Sequence, residues 1–186
     1  MNINTRRITF IAMGVAINFV GAKIAILFNL PIFLDTIGTI FAGATLGPVG
    51  GMIAGIVGGC LNGVTGDIYS FYFSISGVLI GLLAGFLLHK DKKRSLIEAL
   101  WLTPLISVPA SAVSAFIEVA LFGGITSSVW TTAVIKMLQQ TALNLFGSAF
   151  LVQVVTDYAD KLIAVALVIT VINRLPKSML EFKKNK

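Results

Sequence analysis

Cysteine, histidine and charge are the things this chain has least of, and each scarcity closes off a class of function. The single cysteine, Cys60, rules out an intrachain disulfide, and together with the single histidine, His89, it makes no metal-binding cluster. No glycine-rich loop ends in Gly-Lys-Ser or Gly-Lys-Thr, so the chain carries no nucleotide site of the Walker type. No nucleophile stands at a recognisable spacing from a base, and the chain does not read as an enzyme. Charged residues make up only 12% of the sequence, against about 25% in an ordinary soluble domain.

What is present instead is apolar length. The 186 residues are 56% hydrophobic, with a mean hydropathy of +0.94. A soluble fold has no means of hiding so much apolar surface. The runs are too long, and too apolar on every side, for transmembrane strands, so each must satisfy its backbone internally as a helix in lipid. Spans are expected over about 8–28, 32–46, 49–63, 69–88, 96–122 and 158–175, in one membrane domain. Residues 1–28 have the Arg pair and apolar stretch of a signal peptide, but the stretch is long and more spans follow, so it reads as a retained first span. Asn29-Leu30-Pro31 and Gly47-Pro48 punctuate the early runs, and Pro104 and Pro109 predict a kink in the fifth. The second run, only about 22 Å long as a helix, is expected to be partly surrounded by protein.

Residues 125–157 interrupt the pattern. Lys136, Gln139, Gln140, Asn144 and Gln153 make this a weak spanning candidate, since a lysine at the centre of a span costs roughly 2.5 to 3.5 kcal/mol. The segment reads as an extracellular loop with helical or re-entrant character. With six spans and an internal amino terminus, Arg6, Arg7, Lys90, Lys92, Lys93, Arg94, Arg174, Lys177, Lys183, Lys184 and Lys186 fall on the cytoplasmic side, eleven of the fourteen basic residues. That distribution is the positive-inside pattern. The net charge of +6 and pI of 9.7 are therefore a topology signal and not a nucleic-acid footprint. The expected architecture is an all-α integral membrane bundle of six transmembrane helices plus the extracellular segment, in the plasma membrane with both termini cytoplasmic.

Small residues recur on helical faces. Gly47, Gly51, Gly55, Gly59 and Gly63 share one drifting face of the third span, and Gly77, Gly81 and Gly85 repeat the device in the fourth. Such stripes let membrane helices approach closely. Ala12 and Ala16 form a similar flat face on the first helix, open to another membrane subunit.

In this topology the ionisable residues Lys23, Asp35, Asp67, Lys136, Asp157, Asp160 and Lys161 gather on the outer side, with Glu118 in the outer half of the fifth span. Ionisable groups at such depths face a cavity or one another. Tyr69, Phe71, Tyr72, Trp130 and Tyr158 converge on the same side, as pocket walls or as interfacial anchors. Asp160 and Lys161 read equally as a solvated pair that starts the last helix. The candidate substrate-contacting residues are Asp35, Asn62, Asp67, Tyr69, Tyr72, Glu118, Lys136, Gln140, Asn144 and Asp157.

The Ala12-Met13-Gly14-Val15-Ala16 stretch, the Leu30-Pro31-Ile32-Phe33-Leu34-Asp35-Thr36-Ile37-Gly38-Thr39 run, the Leu46-Gly47-Pro48 turn and Asp160-Lys161 leading to Arg174-Leu175-Pro176 together resemble the S component of energy-coupling factor (ECF) vitamin transporters. The resemblance covers nearly the whole chain. It implies six helices and an outward pocket for a vitamin, roofed by the loops around 29–35 and 62–72. It also implies a transmembrane coupling subunit (the T component) docking at Ala12 and Ala16, and two partner ATPases that use the ATP. No cofactor is expected on this chain. The Leu30-to-Thr39 run is similar to subunits linked to pyridoxine or hydroxymethylpyrimidine, with riboflavin and pantothenate open. A non-transporting membrane sensor or assembly protein, or a stand-alone ion-coupled carrier, is the alternative.

Overall fold

The structure is a computed structural model that describes residues 5–89, 94–176 and 179. Among them are seven α-helices and no strands: α1 (Thr5–Leu27), α2 (Ile37–Leu46), α3 (Pro48–Val64), α4 (Ile68–Leu88), α5 (Leu96–Phe122), α6 (Val129–Leu138) and α7 (Leu145–Arg174). Lys90, Lys92 and Lys93 of the basic loop, with Lys177, Lys183, Lys184 and Lys186 of the tail, lie outside the described residues, so the orientation expectation rests on sequence for them.

Three helices, α1, α4 and α5, are long and apolar enough to cross a membrane, while α2, α3 and α6 are shorter apolar helices. Their outward faces are apolar too: Val20 and Ile24 on α1, Trp101 and Leu105 on α5, and Leu167 and Val171 on α7 are all exposed. Large side chains of this kind face outward along whole helices only where the solvent is hydrocarbon. The protein is a multi-pass helical membrane protein.

The short second run finds its explanation at the centre of the bundle. Every residue of α2 from Gly38 to Thr45 is buried, and the helix packs against α1, α3, α4 and α7. A helix of 10 residues, about 15 Å long, is unsuited to cross lipid alone, but here protein is its solvent. Its Phe41 stacks on Phe10 of α1 at 5.7 Å, and Ile40 and Phe41 join the main core with Ile80, Ile106, Val165 and Val168.

The glycine stripes pack α3 on α4. A Cβ placed on Gly51 would strike the backbone of Gly81, and one on Gly55 would strike that of Gly77. These two crossings are as close as helical backbones come, and close approach of small residues is what holds helices together where lipid removes the hydrophobic drive. Gly47 at φ 84 turns α2 into α3, and Pro48 follows at the first position of the new helix, where its missing N–H is not needed.

The end of the bundle that carries the basic loop is stitched by side chains. Asn173 of α7 accepts from the Arg94 backbone N–H at 3.3 Å and donates to its carbonyl at 2.8 Å. Arg94 pairs with Glu98 at 3.0 Å, beside the capping box in which Ser95 and Glu98 satisfy each other's backbone donors. The α5 helix continues through Pro104 and Pro109.

One expectation is corrected. The last helix was expected from residue 158, yet α7 runs unbroken for 30 residues from Leu145, about 45 Å. Asn144 caps it, its side chain accepting from the Gly147 N–H at 2.7 Å. The polar residues that make 145–157 look unfit for the interior have partners there: Gln153 and Asp157 both face α5. The short helix α6 packs on α7 beside it.

Candidate functional site

A cavity of about 90 Å³ opens among α1, α3, α4, α5 and α7 and beside the α1–α2 connection. Asp35, Thr36, Asn62, Asp67, Ser70, Ser74, Ser76, Ser114, Gln153, Asp157 and Lys161 supply its polar wall, with Ile26, Phe33, Phe73 and Ile80 among the apolar part.

A buried ion network forms the α7 side. Lys161 Nζ donates to Asp157 Oδ1 at 2.7 Å and to Asp160 Oδ2 at 3.1 Å. Asp157 Oδ2 accepts from Ser111 Oγ of α5 at 2.8 Å. Asp160 Oδ1 accepts from the Leu34 backbone N–H at 2.8 Å, and its Oδ2 lies 3.4 Å from the Thr36 hydroxyl that donates to it. One helical turn of α7 therefore grips both α5 and the loop that lies over the cavity. Asp157, Asp160 and Lys161 are each at most 3% exposed, so the reading of Asp160 and Lys161 as a solvated pair is overturned. In a medium of low dielectric such charges survive only when paired and hydrogen-bonded.

That grip holds a strained loop. Leu34 has φ 55 and Asn29 has φ 49. Asparagine tolerates the left-handed region, whereas a leucine there costs on the order of 1 to 3 kcal/mol and persists only where its surroundings impose it. For Leu34 the imposing contact is Asp160.

The α3–α4 turn makes the opposite wall. Asp67 precedes α4, its backbone N–H donating to the Asn62 carbonyl at 3.1 Å, and its Oδ2 accepts from Ser70 Oγ at 2.6 Å. The remaining oxygen, Asp67 Oδ1, and the Asn62 Oδ1 are buried with no hydrogen-bond partner.

Of the residues singled out by sequence, the cavity wall brings together Asp35, Asn62, Asp67 and Asp157. Glu118 stands one step behind it: fully buried, it accepts from Gln153 Nε2 at 2.9 Å through Oε2, and Gln153 itself lines the cavity. Tyr69 and Tyr72 pack on Phe122 with ring centroids at 4.7 and 5.4 Å, outside the wall. Lys136, Gln140 and Asn144 are exposed, and Asn144 has the capping role already described. Ala12 and Ala16 are exposed on α1, beside the equally exposed Met13 and Ile17. Among the described residues no group of three or more His, Cys, Asp or Glu side chains could hold a metal ion.

The cavity residues absent from the substrate-contacting candidates are Gln153, Lys161, which the sequence placed only in the outward ionisable group, and the serines of α4 and α5. A signal for the first two was present: 153, 157 and 161 are spaced by four and so share one face of a helix. Reading 125–157 as loop concealed it.

Comparison with curated proteins and with solved structures found no match. The family model described as ECF transporter, substrate-specific component, matches residues 6–181. A match over nearly the whole chain, on a helical membrane bundle with a polar cavity, places this protein in the family of substrate-specific components of ECF transporters.

Proposed function

We propose that this chain captures a water-soluble vitamin or vitamin precursor for an ATP-driven importer, holding it in the cavity between the α1–α2 loop, the α3–α4 turn and α7. The observation that carries this reading is the cavity itself: charged and hydroxylated side chains enclosed in an apolar bundle, with the loop above them anchored by Asp160. Polar groups buried at such cost in a membrane protein mark a substrate path by default. The proposed ligand is a small hydroxylated heteroaromatic ring of the pyridoxine or hydroxymethylpyrimidine kind. Phe33 and Phe73 supply apolar wall for its faces, and Asn62, Asp67 and Asp157 polar groups for its edges.

In this reading the chain performs no chemistry. It spans the membrane six times with both termini cytoplasmic, and α6 lies on the external side with the cavity. A transmembrane coupling subunit docks on α1 at Ala12 and Ala16, and two ATPases supply the work through it. ATP is used by those partners and no cofactor binds here. The exposure of Ala12 and Ala16, small residues on a helix whose other face is buried, supports a docking role.

Co-expression with a coupling subunit and its ATPases tests the importer reading. Wild-type chain is expected to co-purify with them, and Ala12→Leu with Ala16→Leu to abolish co-purification while the isolated chain stays folded. A chain that does not assemble, together with uptake indifferent to the double substitution, would identify a non-transporting sensor instead. A reporter fused at Lys92 is expected on the cytoplasmic side, and an external signal would invert the topology.

A further inference from the structure

The cavity wall carries more carboxylates than cations, and this selects among ligands. Its carboxylates among the described residues are Asp35, Asp67 and Asp157, against one ammonium, Lys161. That ammonium is already shared between Asp157 and Asp160. Five of the wall's hydroxyl and amide side chains likewise donate to the protein. Ser70 donates to Asp67, Ser74 to the Phe71 carbonyl, Ser76 to the Ala110 carbonyl, Ser114 to Ser76, and Gln153 to Glu118.

Independently of this charge balance, two acceptors in the wall stand without partners. Asn62 is 2% exposed and Asp67 is 8% exposed, and each keeps an unbonded Oδ1. A buried acceptor without a donor costs about 1 to 3 kcal/mol, more when charged, so a ligand that donates to these atoms, reached by a turn of the two side chains toward the cavity they line, recovers that cost on binding. A ligand that brings another carboxylate or a phosphate meets like charge in a poorly screened site.

We propose that the α3–α4 wall, Asn62 and Asp67, recognises a hydrogen-bond donor, so that the ligand is a neutral or cationic molecule presenting amine, ammonium or hydroxyl hydrogens there and not an anion. This rests on the reading of the cavity as the substrate site and narrows the substrate class within it. Alcohols and amines of heteroaromatic rings belong to the class; pantothenate and other carboxylates do not.

Matched ligands on the purified full-length chain in lipid nanodiscs decide it. Pyridoxine and pyridoxamine are compared with 4-pyridoxate, and 4-amino-5-hydroxymethyl-2-methylpyrimidine with its 5-carboxylate, by native mass spectrometry and calorimetry, with pantothenate added as an acyclic anion. The alcohol and amine members are expected to bind at least about tenfold more tightly than their carboxylates, the equivalent of one charge-assisted hydrogen bond. Asp67→Asn preserves shape and the bond from Ser70, and is expected to weaken pyridoxamine more than pyridoxine. Equal or tighter binding of a carboxylate member or of pantothenate overturns the assignment. So does the absence of binding by every donor-bearing member, or an Asp67→Asn protein that is folded by circular dichroism and binds both rings unchanged. Assembly with the coupling module is scored separately: anion binding by an assembling chain sinks the ligand class alone, and donor binding by a chain that never assembles sinks the importer reading alone.

Discussion

Two helix pairs carry this bundle, and they are built on opposite principles. The α3–α4 pair meets through glycines, with Gly51 against Gly81 and Gly55 against Gly77, and nothing but backbone between the axes. The α5–α7 pair meets through side chains: Ser111 bonds Asp157, Glu118 bonds Gln153, and Lys161 balances the carboxylates on α7. The first interface leaves no space at the Gly51–Gly81 crossing, and toward Gly55, Gly59 and Gly77 it borders the cavity. The second is also closely packed, with small buried residues such as Ala110, Ala115, Ala149 and Ala164 around the polar pairs, and the cavity lies beside it. Backbone packing on one side and polar pairing on the other thus wall the same cavity.

Substitutions can break or sharpen that contrast, and the largest effect is expected on the polar side. Lys161→Met strands Asp157 and Asp160 as buried carboxylates, with an expected loss of about 3 to 5 kcal/mol, read as a lowered unfolding midpoint in detergent. Ligand binding should fall with it, since the loop over the cavity is held by Asp160. A smaller loss, about 2 to 3 kcal/mol, is expected from Gln153→Leu, which removes the donor from Glu118; adding Glu118→Leu in the same chain should return part of it. If the double variant is no better than the single, the pair is not the source of the effect.

On the glycine side, Gly51→Ala places a methyl on the Gly81 backbone, away from the cavity wall, and is expected to cost about 1 to 3 kcal/mol as the helices separate. Unlike Lys161→Met, it should leave ligand preference unchanged in whatever protein folds. A changed preference would mean that the two interfaces are coupled through α4. The smallest effect serves as the control: Lys136→Ala, at an exposed position on α6, should alter stability by less than about 0.5 kcal/mol and leave binding as it was.

The glycine interface was legible in the sequence because its signal is periodic and local. A residue every four positions names a helical face whatever the partner, and the packing of Gly51 and Gly55 on α4 agrees with the reading. The polar interface was legible only in part. Asp35, Asn62, Asp67 and Asp157 stand out as polar residues in apolar surroundings, and all four line the cavity. Gln153 reads in the sequence as the mark of a loop, because the cost of a buried amide depends on whether a partner exists, and its partner is Glu118, 35 positions away. The same blindness placed the start of the last helix at 158 instead of Leu145. Lys136 and Gln140, polar residues of the same segment, are exposed and stand outside the cavity wall.

Amino-acid order alone determined the solvent, the helical class and the breaks at Gly47-Pro48 and Asn29-Leu30-Pro31, because each depends on composition or on the backbone limits of glycine and proline. It also determined the small-residue faces, which need only the helical repeat. Tertiary structure decided which charges are affordable. Asp157, Asp160 and Lys161 make α7 a poor span when counted along the chain, and a sound buried helix once they neutralise one another and bond α5 and the Leu34 loop. Desolvation acts on each group singly, whereas its compensation belongs to pairs of groups distant in sequence, and only folding brings those pairs together.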